Sequence, residues 1–323
     1  MKGKLAAASS VLLPVLDTYL DSAVAVTGCS ARELARYSCE YDVLVVGAEK
    51  RPPKSLKIGN DYAELKFATE GEILRPSNPE HAMSLAFCRP VKDTSLVIST
   101  ASAACLATLQ DSASKASRTR LASALKSIGR AEAALSRKTL IDADFWLLAS
   151  SCEFAYALLL SREVLPSPSH LLSQLRTAEG VPRSFEGISM GSGLEAASRA
   201  GCGARLEAMT VLHDLLRGSS KPEAAESTWP AARTDLLSAK ANELITRVEL
   251  AECYSFLGQE LVDDVMALMR KHPKATLATL TSGKDQLLGE RLVRQLGLMR
   301  PEKGIRAGLD VLMDQVNLLA KKS

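Results

Sequence analysis

The chain has 323 residues, 46% hydrophobic and 24% charged, which allows two domains with a substantial core and excludes a disordered chain. A net charge of +3 is too weak to select nucleic acid as a partner. Aromatic residues make up only 4%, while Ala, Leu and Ser are plentiful, which favours helices packed through small side chains over an all-β sandwich. The seven cysteines (29, 39, 88, 105, 152, 202 and 253) form no CxxC pair and read as buried thiols in a reducing, cytoplasmic setting.

In chain order, the first residues "MKGKLAAASSVLLPVLDTYLDS" are broken by Pro14 and Asp17, so they predict a helix over "VLLPVLDTYL" rather than a signal peptide. A strand-like run, "SAVAVTG", follows. Ser30 then stands as N-cap with Glu33 at capping-box spacing, which predicts a short helix over "SARELARYS". Further runs rich in Val, Ile, Phe and Tyr read as strands: "YDVLVVG", "SLKIG", "YAELKFA", "MSLAFCR" and "SLVIST". Helix, strand, helix and strand in that order predict a small α/β domain with a mixed sheet over residues 1–100.

Residues 101–323 carry helical patterns and no strand, which makes the fold class α+β with an all-α region behind the sheet domain. "VPRSFEGISMGSG" (181–193) reads as a loop and a candidate internal boundary, and "SSKPEAAESTWP" as a second pause. No window approaches the roughly 18 apolar residues of a membrane span. Lys115, Arg118, Lys126 and Arg130 read as a solvated helix face, or as phosphate contacts if that helix borders a cleft. The acids of "LVDDVMALM" read as the polar stripe of an amphipathic helix. The histidines at 81, 170, 213 and 272 lie too far apart in sequence to form a zinc pair.

Two carboxylates at the start of "EYDVLVVG" stand out. Strand periodicity puts Glu40 and Asp42 on one face, about 6.5 to 7 Å apart. Like charges at that spacing repel unless solvent or a cation relieves them. A magnesium ion is one such cation, since it takes one or two protein carboxylates and completes its shell with water and phosphate. The other reading is a sheet edge where charges discourage aggregation.

The stretch resembles the signature of the DNA polymerase β-like nucleotidyltransferase superfamily, with Val26-Thr27-Gly28-Cys29-Ser30 as its turn and Glu40-Tyr41-Asp42-Val43 as its acid-apolar-acid-apolar tetrapeptide. The resemblance covers about the first 100 residues. It implies that Gly28 and Ser30 hold the triphosphate and that Glu40 and Asp42 bind Mg2+. Glu64 of "DYAELKFA" is the best match to the third acid, which completes the metal site and helps activate the attacking hydroxyl; the other reading of Glu64, flanked by Lys66, is a solvent-face ion pair. The family usually has Asp at the position of Glu40. The implied activity is transfer of a nucleoside monophosphate from a nucleoside triphosphate to a hydroxyl on a protein, RNA or small molecule. Two alternatives stay open: a catalytically degenerate scaffold whose helical region binds a protein or RNA, and a helical interaction protein unrelated to this superfamily.

Overall fold

The computed structural model describes residues 8, 10–32, 34–36, 38–47, 49, 51, 53–178, 185–218, 231–271, 276–282 and 289–321. By packing, the chain divides into two units, residues 1–115 with 221–243 and residues 116–220 with 244–323.

The first unit opens with α1 (Leu13–Thr18), β1 (Ala23–Thr27) and a four-residue helix α2 (Gly28–Ala31). Strands β2 (Tyr41–Gly47), β3 (Lys54–Ile58) and β4 (Asp61–Thr69) follow, then helices α3 (Glu70–Leu74) and α4 (Pro79–Ala86), strand β5 (Arg89–Lys92) and α5 (Val97–Ala107). The five strands form one mixed sheet in the order β3-β4-β2-β1-β5. β2 runs antiparallel to β1 and parallel to β4.

Both faces of the central strands are buried, which is why their sequences are near-continuous Val and Ala runs. On one face Val24, Val26, Val43, Val45 and Leu65 pack with Leu12 and Val15. On the other, Ala25, Leu44, Val46 and Ala68 meet Ile73, Leu85 and Ile98 from α3, α4 and α5. Each large aliphatic side chain fully buried here contributes about 1.5–3 kcal/mol. Asp42 and Glu64 have the strand parity of Leu44, Val46 and Ala68, so they occupy the first positions of this second face.

Three sequence expectations fail in this unit. "MSLAFCR" is the end of α4 followed by β5, because Asn78 accepts hydrogen bonds from the amides of Glu80 and His81 and Pro79 fills the first helical turn. "SLVIST" opens α5, where Asp93 takes the amides of Ile98 and Ser99. Start signals of this kind outrank β propensity. "SARELARYS" is not a helix throughout: α2 ends at Ala31, and Ser30 gives its hydroxyl to the Glu40 carbonyl instead of capping. Its expected partner Glu33 lies outside the described residues.

The division between units falls inside the long helix α6 (Leu109–Ser136). Along it Lys115, Arg118, Lys126 and Arg130 face solvent. Then come α7 (Leu140–Leu160), a 3₁₀ turn at Pro168–His170, α8 (Leu171–Thr177), α9 (Phe185–Ser192), α10 (Arg199–Gly218) and α11 (Ala231–Thr246), which returns to the first unit up to Glu243. The chain closes with α12 (Leu250–Lys271), α13 (Leu277–Ser282), α14 (Glu290–Gln295) and α15 (Glu302–Ala320). No strand occurs after β5 among the described residues.

Contrary to the hydropathy expectation, α7 is long and apolar enough by composition to cross a membrane. Of its most apolar window, 89% is buried inside the protein. Two acids in its first turns accept hydrogen bonds there: Asp144 from the Arg300 amide at 2.8 Å, and Asp142, through Oδ1 alone, from the Ala278 amide at 3.1 Å. The expected loop at 181–193 is a helix from Phe185 to Ser192, with Gly191 against Ser151; residues 181–184 lie outside the described residues. The expected pause at "SSKPEAAESTWP" and His272 lie outside them as well. Of the acids in "LVDDVMALM", Asp263 is exposed, but Asp264 is buried 2.7 Å from His213.

Asp93 gives this fold a testable pH dependence. Partial burial raises its pKa, but the Ser99 hydroxyl and the amides of Ser99 and Ile98 outweigh that and hold it below the ordinary value. Its contribution is present above the unfolded carboxylate pKa of about 3.9 and is lost as pH falls through the lower folded value. We expect Asp93→Ala to cost about 1 kcal/mol at pH 7 in urea melts, and the difference from wild type to vanish at acid pH.

Candidate metal centre

Glu40, Asp42 and Glu64 converge: each offers a carboxylate oxygen, and these oxygens all lie within 4.8 Å of one another. Glu40 lies just ahead of β2, Asp42 is the second residue of that strand, and Glu64 stands opposite Asp42 in the parallel β2–β4 ladder. The parallel register thus brings Asp42 together with Glu64, 22 residues further on, while Glu40 joins from the residue just ahead of β2.

The glycine turn is built against this cluster. Gly28 has φ +65°, in the left-handed region that disfavours a side chain, and a Cβ there would overlap the Asp42 carboxylate oxygen and lie 2.7 Å from its Cγ. The turn's polar groups are spent on the strand beside it. Thr27 donates its hydroxyl to the Asp42 carbonyl at 3.4 Å, and Ser30 donates its hydroxyl to the Glu40 carbonyl at 3.0 Å. Arg32 donates from Nε to the Gly28 carbonyl at 3.1 Å. Ser30 is buried, so its hydroxyl serves the backbone of the acid strand in this state.

Two lysines enter the cluster: Lys66, whose pairing with Glu64 was the alternative reading of that acid, and Lys240, which sequence reading had not placed there. Lys66 Nζ lies 3.1 Å from Asp42 Oδ1 and 3.6 Å from Glu64 Oε2, with its side chain 53% exposed. Lys240, on the part of α11 that belongs to the first unit, pairs with Glu40 at 2.5 Å, and both side chains are largely buried, at 11% and 14% exposure. Beside it Glu243 accepts from the Ser38 amide at 2.8 Å and ties α11 to the segment leading into β2. Lys66 had a local signal, being two residues from Glu64 on the same strand face. Lys240 had none, since 200 residues separate it from Glu40 in the chain.

The ionisation pattern follows these contacts. Burial pushes the Glu40 carboxyl above its ordinary pKa, against the pull of Lys240 and with help from the Asp42 charge. Burial also acts on Asp42, but Lys66, Lys240 and Arg32 outweigh it and hold that carboxyl down. Lys66 is raised, chiefly by Asp42. At Lys240 burial works against the charge, but Glu40 prevails and the ammonium is raised too.

The donors are all hard oxygens, which suits Mg2+ and disfavours soft metals. No family model matches the chain, and no curated protein matches its sequence.

Two substitutions probe the cluster through stability alone. Gly28→Ala forces an unfavourable φ and a clash with Asp42, and should cost about 1–3 kcal/mol in chemical denaturation. Lys240→Met strands a desolvated carboxylate at Glu40, with an expected loss of about 3 kcal/mol. Adding Glu40→Gln should recover most of that loss. A double variant no more stable than Lys240→Met would show that the ion pair is not the reason Lys240 matters.

Proposed function

We propose that the first unit is a magnesium-dependent nucleotidyltransferase domain. It transfers a nucleoside monophosphate from a nucleoside triphosphate to a hydroxyl on a protein, RNA or small molecule. The observation that carries this reading is the convergence of Glu40, Asp42 and Glu64 within 4.8 Å beside a glycine turn with no room for a side chain. Glu40 and Asp42 hold the metal, and Glu64 serves as third ligand or as base toward the acceptor hydroxyl. When bound, Mg2+ supplies charge neutralisation for the phosphates and polarises the reacting phosphoryl group. Lys66, half-exposed on a flexible stem, passes from Asp42 to a phosphate oxygen when the substrate arrives. Gly28 lets the backbone approach the triphosphate, and Ser30 fixes the strand that carries Glu40. The compartment on this reading is the reducing cytoplasm, in keeping with seven buried cysteines outside any disulfide.

One observation favours a second reading. Lys66, Lys240 and the nearby Arg32 guanidinium already match the three carboxylates in formal charge. A cluster neutral without a metal also suits a catalytically degenerate scaffold.

Asp42→Asn separates the two. Its partner Lys66 is half-exposed, so loss of the contact should change metal-free stability by no more than about 1 kcal/mol. On the enzyme reading, calorimetry at millimolar ATP gives binding by the wild type with Mg2+ and little without it. Asp42→Asn then weakens the Mg2+-dependent binding by at least about tenfold, or 1.4 kcal/mol. Wild type that ignores ATP with or without Mg2+, or Asp42→Asn that binds like wild type, would leave the scaffold reading standing.

A further inference from the structure

Cys29 and Cys39 are chain neighbours of the candidate metal centre. Cys29 follows Gly28 in the turn, and Cys39 precedes Glu40. They lie just beyond the last paired residues of the β1–β2 ladder, Thr27 and Asp42, and their sulfurs are no more than 4.8 Å apart, in thiol–thiol contact. Between them, Leu34 donates its amide to the Cys29 carbonyl at 3.0 Å, and Arg36 donates its amide to Cys39 Sγ at 3.2 Å. Cys202 and Cys253 also meet, but the regular helices α10 and α12 wall them in. Residues 34–36, between Cys29 and Cys39, carry no regular secondary structure.

We propose that Cys29 and Cys39 are a dithiol site that exchanges with low-molecular-weight disulfides, and that closing the bond restrains the metal centre. The chemistry balances without another reactant. One thiol, as its thiolate, attacks the reagent's S–S bond and releases one reagent thiol. The second thiol attacks the mixed disulfide, forms the Cys29–Cys39 bond and releases the other reagent thiol. The two protein thiols lose two protons and two electrons, and the reagent disulfide gains them.

Bond formation requires the sulfurs to close to about 2.05 Å. That displacement is felt next door, because Gly28, adjoining Cys29, sits so close to the Asp42 carboxylate that even a Cβ would not fit. The reduced form therefore leaves the turn free to adjust around a ligand, and the oxidised form does not. This restraint rests on the reading of the acids as a metal site; bond formation does not.

The test equilibrates the full chain in buffers of oxidised and reduced glutathione, quenches with acid and alkylating agent, and maps the peptides. The expected result is one linked Cys29–Cys39 peptide that disappears in Cys39→Ser. Oxidised wild type should bind Mn2+–ATP about tenfold more weakly than reduced, a 1.4 kcal/mol difference, whereas Cys39→Ser should be indifferent to the glutathione ratio. Absence of the linked peptide, or glutathione left on Cys39 with Cys29 free, overturns the dithiol site. A linked peptide with unchanged Mn2+–ATP affinity overturns the restraint. Reduced wild type that fails to bind Mn2+–ATP overturns the nucleotidyltransferase reading and the restraint with it, while the peptide map still decides the bond.

Discussion

The contact on which the first unit turns is the approach of the Gly28 backbone to the Asp42 carboxylate. It is set by main-chain geometry. The β1–β2 register pairs Thr27 with Asp42, so the chain leaving β1 must turn directly over the second residue of β2. A residue with a Cβ cannot occupy that position without moving the strand or the carboxylate. The bonds from Thr27 to the Asp42 carbonyl and from Ser30 to the Glu40 carbonyl close the same unit from its other side. Asp42 is thus held at a fixed point with little water around it, and such a carboxylate needs compensation.

The compensation is uneven. Lys240 and Glu40 form a largely buried pair fastened to α11, and opening it would leave two desolvated charges. Lys66 reaches Asp42 and Glu64 from solvent on a half-exposed stem, and an ion pair of that kind is worth little. The two sides of the cluster therefore differ in how readily they exchange a cation. The Asp42–Glu64 side can surrender its ammonium to solution at small cost. The Glu40 side keeps its own unless α11 shifts.

Much of this was readable in the sequence where the signal is local. The Val-rich runs of β1 and β2 and the alternation in β4 mark strands, and the spacing of Glu40 and Asp42 places both on one face. Glu64 could be picked out only through the family resemblance, as the best positional match to its third acid. The misread segments are those in which β-branched or aromatic residues sit inside short helices. In "MSLAFCR" and "SLVIST" the deciding groups are Asn78 and Asp93, which lie outside the apolar runs themselves. Lys240 was illegible for a different reason. A long-range ion pair leaves no periodicity, and the returning segment 221–243 that carries it belongs by packing to the sheet unit but by position to the helical half of the chain. The cysteines looked dispersed for the same reason, until the β1–β2 hairpin brought Cys29 and Cys39 together.

The charge balance of the cluster also bears on how a ligand enters if the enzyme reading holds. A free divalent ion entering the cluster must displace Lys66 from Asp42 and Glu64 and loosen Lys240 from Glu40, and the freed Lys66 ammonium then sits beside a cation that repels it. Mg2+ also gives up its bound water reluctantly, so the exchange gains little by itself. A metal that arrives on a triphosphate changes both terms. It keeps phosphate oxygens in its shell, and it brings the anionic partner that Lys66 needs after leaving Asp42. Metal and nucleotide are then coupled ligands, each improving the other's affinity through one lysine that cannot pair with Asp42 and with a phosphate at once. On the enzyme reading, Lys66 would tie metal binding to substrate binding because it is the exposed member of the two ammoniums in the cluster.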